Sequence, residues 1–234
     1  MEENNKINFT ILNKCISLCA MRGSGKSEML RYLVMAEQHK YHKIFVISPT
    51  NITNSFYNDF IPKENIIVEW SNEWVEQLLT ILANLNKNKK SQKDSPKNVL
   101  LILDDYCSDT RFHSSKIFEK IFTIGRHYFL SCIITSQYIT HIPPSARTNC
   151  DFILVSTLNN NNVQILADEY TLGNCIRKEF NQIYKQSIPN HGFLLINNSS
   201  TKTNNISEIY GIMRVPEDCL KINLFKNKIK YYKN

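Results

Sequence analysis

Short apolar runs recur along the chain, separated by longer stretches in which apolar residues return every three or four positions. The runs predict five buried strands, at about 11–20, 43–48, 99–104, 131–136 and 151–156. In the first of these, Ile11-Leu12 and Cys15 to Met21 supply the apolar residues. The stretches between predict helices near 26–39, 72–86, 114–127, 160–170 and 174–186. The first helix carries Met29, Leu30, Leu33, Val34 and Ala36 at helical spacing. Strands alternating with helices predict an α/β fold, a mostly parallel central sheet flanked by helices with right-handed crossovers. Further on, His191 to Asn198 and Glu208 to Val215 predict a C-terminal strand pair across the polar stretch Ser199 to Ser207.

With 234 residues, 42% of them hydrophobic, the chain can bury one α/β core. A single domain over 1–234 is expected, with its core at about 11–157 and a C-terminal extension at 158–234. Seven cysteines without a C-x-x-C pair fit reduced core thiols in a cytosolic compartment better than a zinc site. The N-terminus is polar and acidic without a signal-peptide pattern, and no apolar run reaches the length of a membrane span. A net charge of +7 favours a polyanionic partner. The same Lys/Asn-rich composition also follows from an AT-rich genome, so charge alone does not establish nucleic-acid binding. Lys87 to Lys97 has no apolar face and reads as a solvated loop. The basic tail Lys226 to Asn234, with Tyr231 and Tyr232, reads either as a grip on nucleic acid or as a frayed terminus.

Candidate chemistry begins at Ala20-Met21-Arg22-Gly23-Ser24-Gly25-Lys26-Ser27, between the first strand and the first helix. Binding the β- and γ-phosphates of a nucleotide takes several backbone N–H groups aimed into one cavity. Gly23 and Gly25 remove the β-carbons that would obstruct this and permit positive φ. The helix that follows turns the positive end of its dipole on the same anion. Arg22 to Ser27 are therefore the candidate nucleotide ligands: Lys26 reaches the β/γ oxygens and the Ser27 hydroxyl can hold Mg²⁺. The usual G-x-x-x-x-G-K-[ST] pattern has glycine where this chain has Ala20, which fits only if φ there stays negative. The bland alternative is a glycine turn before an ordinary helix.

That alternative loses ground at Asn98 to Tyr106 (NVLLILDDY). A strand buried on both faces ending in two aspartates places carboxylates where open α/β sheets bind ligands. Asp104 is assigned to hold Mg²⁺ through water, and Asp105 to polarise the attacking water, a role more often filled by glutamate.

A third buried run, Ser131 to Ser136, also ends in a polar side chain, Gln137. In additional-strand P-loop ATPases such a strand inserts between the phosphate-loop strand and the acidic one. Gln137 would then stand between Lys26 and the Asp104-Asp105 pair, where its amide can orient the water.

The run GRHYFLSCIITSQYITHIPPSARTNCDFILV, with LLILDD upstream, resembles the viral genome-packaging ATPases of the FtsK/HerA superfamily, found in poxviruses, other large DNA viruses and virophages. The shared features are Arg126-His127 before the sensor strand, Gln137 ending it, and Ile142-Pro143-Pro144 followed by Arg147 and Asn149. The similarity covers about residues 11–157. It implies ATP and Mg²⁺ as cofactors and a homo-oligomeric ring, taken as hexameric, that drives double-stranded DNA into a preformed capsid through a capsid or portal partner. It also implies action in the host cytoplasm, at viral factories, or association with the virion. An arginine from the neighbouring subunit would stabilise charge on the γ-phosphate. Arg126, placed near the carboxyl ends of the strands, and Arg147, placed in a loop facing a subunit boundary, are the two candidates. For either, a structural ion pair is the plainer role, and for His127 packing is. Thr50 and Asn51 either couple nucleotide state to DNA or form a simple turn with Ser48-Pro49. Two other functions compete: a related translocase or helicase of replication or conjugation, and a nucleotide-binding assembly protein without turnover.

Overall fold

The computed structural model describes residues 7–87, 96–105, 115–199 and 204–220. The expected solvated loop at 87–97 falls mostly outside these residues, and the basic tail 226–234 entirely so.

Among the described residues, one sheet of eight strands organises the fold. In sequence order they are β1 (Cys15–Cys19), β2 (Lys43–Ile47), β3 (Ile66–Ile67), β4 (Val99–Leu103), β5 (Leu130–Ser136), β6 (Phe152–Val155), β7 (Phe193–Asn197) and β8 (Tyr210–Met213). The order across the sheet is β3-β2-β4-β5-β1-β6-β7-β8. Neighbours from β3 to β6 are parallel. Strand β7 runs antiparallel to both β6 and β8, the C-terminal strand pair read from the sequence. The insertion of β5 between β1 and β4 is the additional-strand arrangement.

The helices among the described residues are α1 (Lys26–Glu37), α2 (Asn51–Asn54), α3 (Asn72–Lys87), α4 (Lys116–Thr123), α5 (Pro144–Asn149), α6 (Asn160–Tyr170), α7 (Arg177–Ser187), α8 (Ile206–Ile209) and α9 (Glu217–Leu220). Period-two alternation along the strands divides the core into two layers. Ile16, Leu18, Leu100, Ile102 and Leu154 face α1, through its Met29, Leu30, Leu33 and Val34. Cys15, Cys19, Leu101, Leu103 and Ile134 face the other layer, built from Val75 and Leu79 of α3, Phe118 and Ile121 of α4, Leu166 of α6 and Phe180 of α7. Both faces being covered explains why these strands read as unbroken apolar runs.

Two expectations are corrected, and one strand is added. Ile11-Leu12 do not extend β1: Asn13 adopts φ 56° and turns the chain, while Ile11 is fully buried beside α1. The helix expected at 114–127 is α4, capped where Ser115 Oγ accepts from Phe118 N, followed after Ile124 by a 3-10 turn, Gly125–Tyr128. The chain leaves that turn through Phe129, at φ 60°. The short strand β3, beside β2, was not read from the sequence because two isoleucines carry no periodicity.

Candidate nucleotide-binding site

Strand β1 delivers the chain to the carboxyl edge of the sheet, where the segment Ala20–Gly25 turns back into α1. The turn is anchored from both neighbouring strands: Ala20 N donates to Ser136 O and Met21 N to Thr157 O. Ala20 is fully buried and is not among the residues of positive φ, so the condition that alanine imposes there is met. Gly23 and Gly25 do take positive φ, 80° and 86°. Gly25 caps α1 with no side-chain hydrogen bond, so no capping side chain occupies the first backbone N–H groups of the helix, which begins at the cavity.

The two acidic residues converge on the lysine. Lys26 Nζ lies 2.7 Å from Asp105 Oδ1 and 3.9 Å from Asp104 Oδ1. Thr135, on the inserted strand β5, ties the three together. Its hydroxyl donates to Asp104 Oδ1 at 2.5 Å and accepts from Asp105 N at 3.1 Å and Lys26 Nζ at 3.4 Å. Ser48 Oγ, at the end of β2, donates to Asp104 Oδ2 at 3.2 Å. Asp105 takes φ 49°, a left-handed conformation that aspartate tolerates better than most residues. Burial, and then the Asp104 charge, push the Tyr57 phenol well above its ordinary range, so it stays neutral beside the carboxylates.

Arg22, Gly23, Gly25, Lys26, Ser27, Asp105 and Gln137 line one cavity of about 1080 Å³. Ser24 lines a smaller cavity that shares Arg22, Gly23, Asn190 and His191 with the first. Gln137 is exposed and immediately follows β5, as the sequence placed it. Ser27, which lines the cavity, and Asp104, which does not line it but is held by two hydroxyls, are hard oxygen donors of the kind that Mg²⁺ takes. Thr50 reaches the cavity, whereas Asn51 is buried and structural: its amide donates to Asn58 Oδ1 and accepts from Tyr57 N.

The arginine candidates stand elsewhere than expected. Arg147 lies within α5, not in a loop, and is 8% exposed. Its guanidinium forms a two-pronged pair with Glu169 and donates to the carbonyls of Ile139 and Ile142. Arg126 is exposed, but it precedes β5 and so sits at the amino edge of the sheet, opposite the cavity.

Sequence reasoning missed Thr135, Ser48 and the contributions of the C-terminal third. Asn190, His191, Arg214 and Glu217 all line the cavity. A hydroxyl inside a buried strand, as at Thr135, was the one visible signal.

Sheet order, phosphate loop and acidic strand end together define a P-loop NTPase of the additional-strand class. The chain belongs to the Poxvirus A32 protein family, whose model matches residues 7–226. Among curated relatives, it is 32% identical over 153 residues to an uncharacterized protein of Invertebrate iridescent virus 6, covering 65% of this chain and 58% of that one. It is 33% identical over 156 residues to one of Acanthamoeba polyphaga mimivirus, covering 64% and 54%. The chain therefore spans little more than half the length of these relatives. In fold it is similar to the genome packaging NTPase of Sulfolobus turreted icosahedral virus 2, solved in complex with AMPPCP. The TM-score is 0.59 at 16% identity, over 87% of this chain and 98% of that one.

Proposed function

We propose that this protein is an ATP-driven double-stranded DNA translocase that packages a viral genome into a preformed capsid. The observation that carries the reading is the meeting of Lys26, Asp104, Asp105 and Gln137 at one edge of the sheet, beside a glycine loop shaped for phosphate. In this reading the Gly23–Ser27 amides bind the β- and γ-phosphates, and Lys26 moves its flexible ammonium from Asp105 to the γ-phosphate. Ser27 and Asp104 would hold Mg²⁺, which supplies charge neutralisation on the phosphate oxygens. Asp105 and Gln137 orient the attacking water.

An arginine acting from a neighbouring subunit completes the site. Arg126 suits that role better, because it is exposed while the guanidinium of Arg147 is consumed inside its own subunit. We propose a hexameric ring docked on a capsid or portal protein, in the host cytoplasm. The test is the ATPase rate with and without long duplex DNA, on a sample of determined mass. Mg²⁺-dependent turnover in an oligomer, stimulated by the duplex, is expected. A silent monomer would overturn the motor reading.

A further inference from the structure

The cavity is wider than a polyphosphate needs. Its rim runs from Asp105 after β4 to Arg214 after β8. That is five strand steps, about 24 Å at the usual spacing between strands. The reacting end is fixed by Lys26, Asp105 and Gln137, on β1 and the strands to one side of it. Whatever is bonded to the other end of the polyphosphate must extend toward β6, β7 and β8.

What stands there comes from the C-terminal third. Because β7 runs antiparallel to β6, its amino end returns to the nucleotide edge, and the carboxyl end of β8 lies beside it. The turn before β7 is unusual: Asn190 and His191 both adopt left-handed φ, 59° and 55°. Consecutive non-glycine residues in that region carry strain that the surroundings must hold. Gly192 allows it, since a β-carbon there would lie 2.0 Å from Ser187 O. Ser156 Oγ then donates to Gly192 O at 2.8 Å and Gly192 N donates to Ile188 O, pinning the turn. The result sets His191 against the phosphate loop: a β-carbon at Gly25 would lie 3.5 Å from His191 Cβ. Arg214, Val215 and Glu217 continue the same wall.

We infer that His191 and Arg214, with the strained Asn190–His191 turn, form the nucleoside half of the site and read the base and ribose rather than the phosphates. The imidazole and guanidinium are planar groups suited to stack on a base and to donate to its edge or to ribose oxygens. This rests on the nucleotide-binding reading above and adds that the extension is part of the ligand site.

The test compares binding of ATP and of inorganic tripolyphosphate, each with Mg²⁺, by calorimetry on the wild-type protein and on His191→Ala and Arg214→Ala. The wild type is expected to bind ATP more tightly than tripolyphosphate. Each variant is expected to lose about tenfold in ATP affinity with tripolyphosphate affinity unchanged, which also reports an intact phosphate loop. Equal losses for both ligands, or none for ATP, would overturn the inference. So would a wild type indifferent to the nucleoside, while leaving the phosphate loop standing. A wild type that binds neither ligand removes both readings.

Discussion

The Lys26 ammonium lies 2.7 Å from the Asp105 carboxylate, joining the loop after β1 to the end of β4 across the inserted strand β5. Lys26 also faces Asp104 at 3.9 Å, so it is the cation held among two carboxylates. Lys26→Ala removes the group that meets the γ-phosphate and leaves two like charges side by side. Turnover is expected to fall about 100- to 1000-fold, measured as phosphate release by protein whose circular dichroism matches the wild type. Unchanged turnover would remove the assignment of the site.

Thr135 links both aspartates and the lysine through one hydroxyl. Replacement by valine keeps the shape and removes the donor to Asp104 Oδ1. The Mg²⁺ concentration giving half-maximal ATPase activity is expected to rise about 10- to 100-fold, as when a ligand's supporting hydrogen bond is lost. Thr135→Ser, which retains the hydroxyl, is expected to behave as wild type.

Arg147 and Arg126 separate by stability. Removing the Arg147 guanidinium leaves Glu169, itself exposed, without this partner and strands the carbonyls of the buried Ile139 and Ile142. Arg147→Ala is expected to cost about 2–4 kcal/mol, seen as a lower urea midpoint. Arg126→Ala, at an exposed position, is expected to leave the midpoint unchanged and to lower turnover only in the assembled oligomer. A midpoint shift with Arg126→Ala as large as with Arg147→Ala would make it structural too.

Alkaline pH should unfold the protein earlier than its charge suggests. Burial pushes the Cys15 and Cys19 thiols from 9.0 up to about 12, and the Tyr210 phenol from 10.0 to about 12. These groups ionise more readily in the unfolded chain than in the folded one. Their stabilising contribution is therefore complete below pH 9 and is lost as pH rises toward 12. Each adds a slope of about −1.4 kcal/mol per pH unit within its own window. Urea midpoints measured from pH 8 upward should fall from about pH 9, and less steeply in a Cys15→Ala, Cys19→Ala variant. The same burial predicts that iodoacetamide leaves both thiols unmodified at pH 8 in the native protein.

Local pattern was sufficient for much of this molecule. A strand covered on both faces must be apolar throughout, so β1, β2, β4, β5 and β6 were legible as runs. Positive φ at Gly23 and Gly25 follows from the chemistry of a phosphate loop, and aspartates ending β4 follow from where sheets bind ligands. Those signals are confined to neighbours in the chain, and so they predicted Arg22 to Ser27, Asp104, Asp105 and Gln137. The structural ion pair weighed for Arg147 had no partner legible among its neighbours in the chain, because that partner, Glu169, is 22 residues away. Arg126 was misplaced because a residue at a strand's start and one at its end are separated by the length of that strand, a distance that motif spacing does not express. The pairing of Lys26 with Asp105, 79 residues apart, and the return of His191 and Arg214 to the phosphate loop depend on strand order and on the reversal of β7. Residue types set which interactions are possible; long-range packing selects among them, because each such contact is made only when distant segments close around a common core.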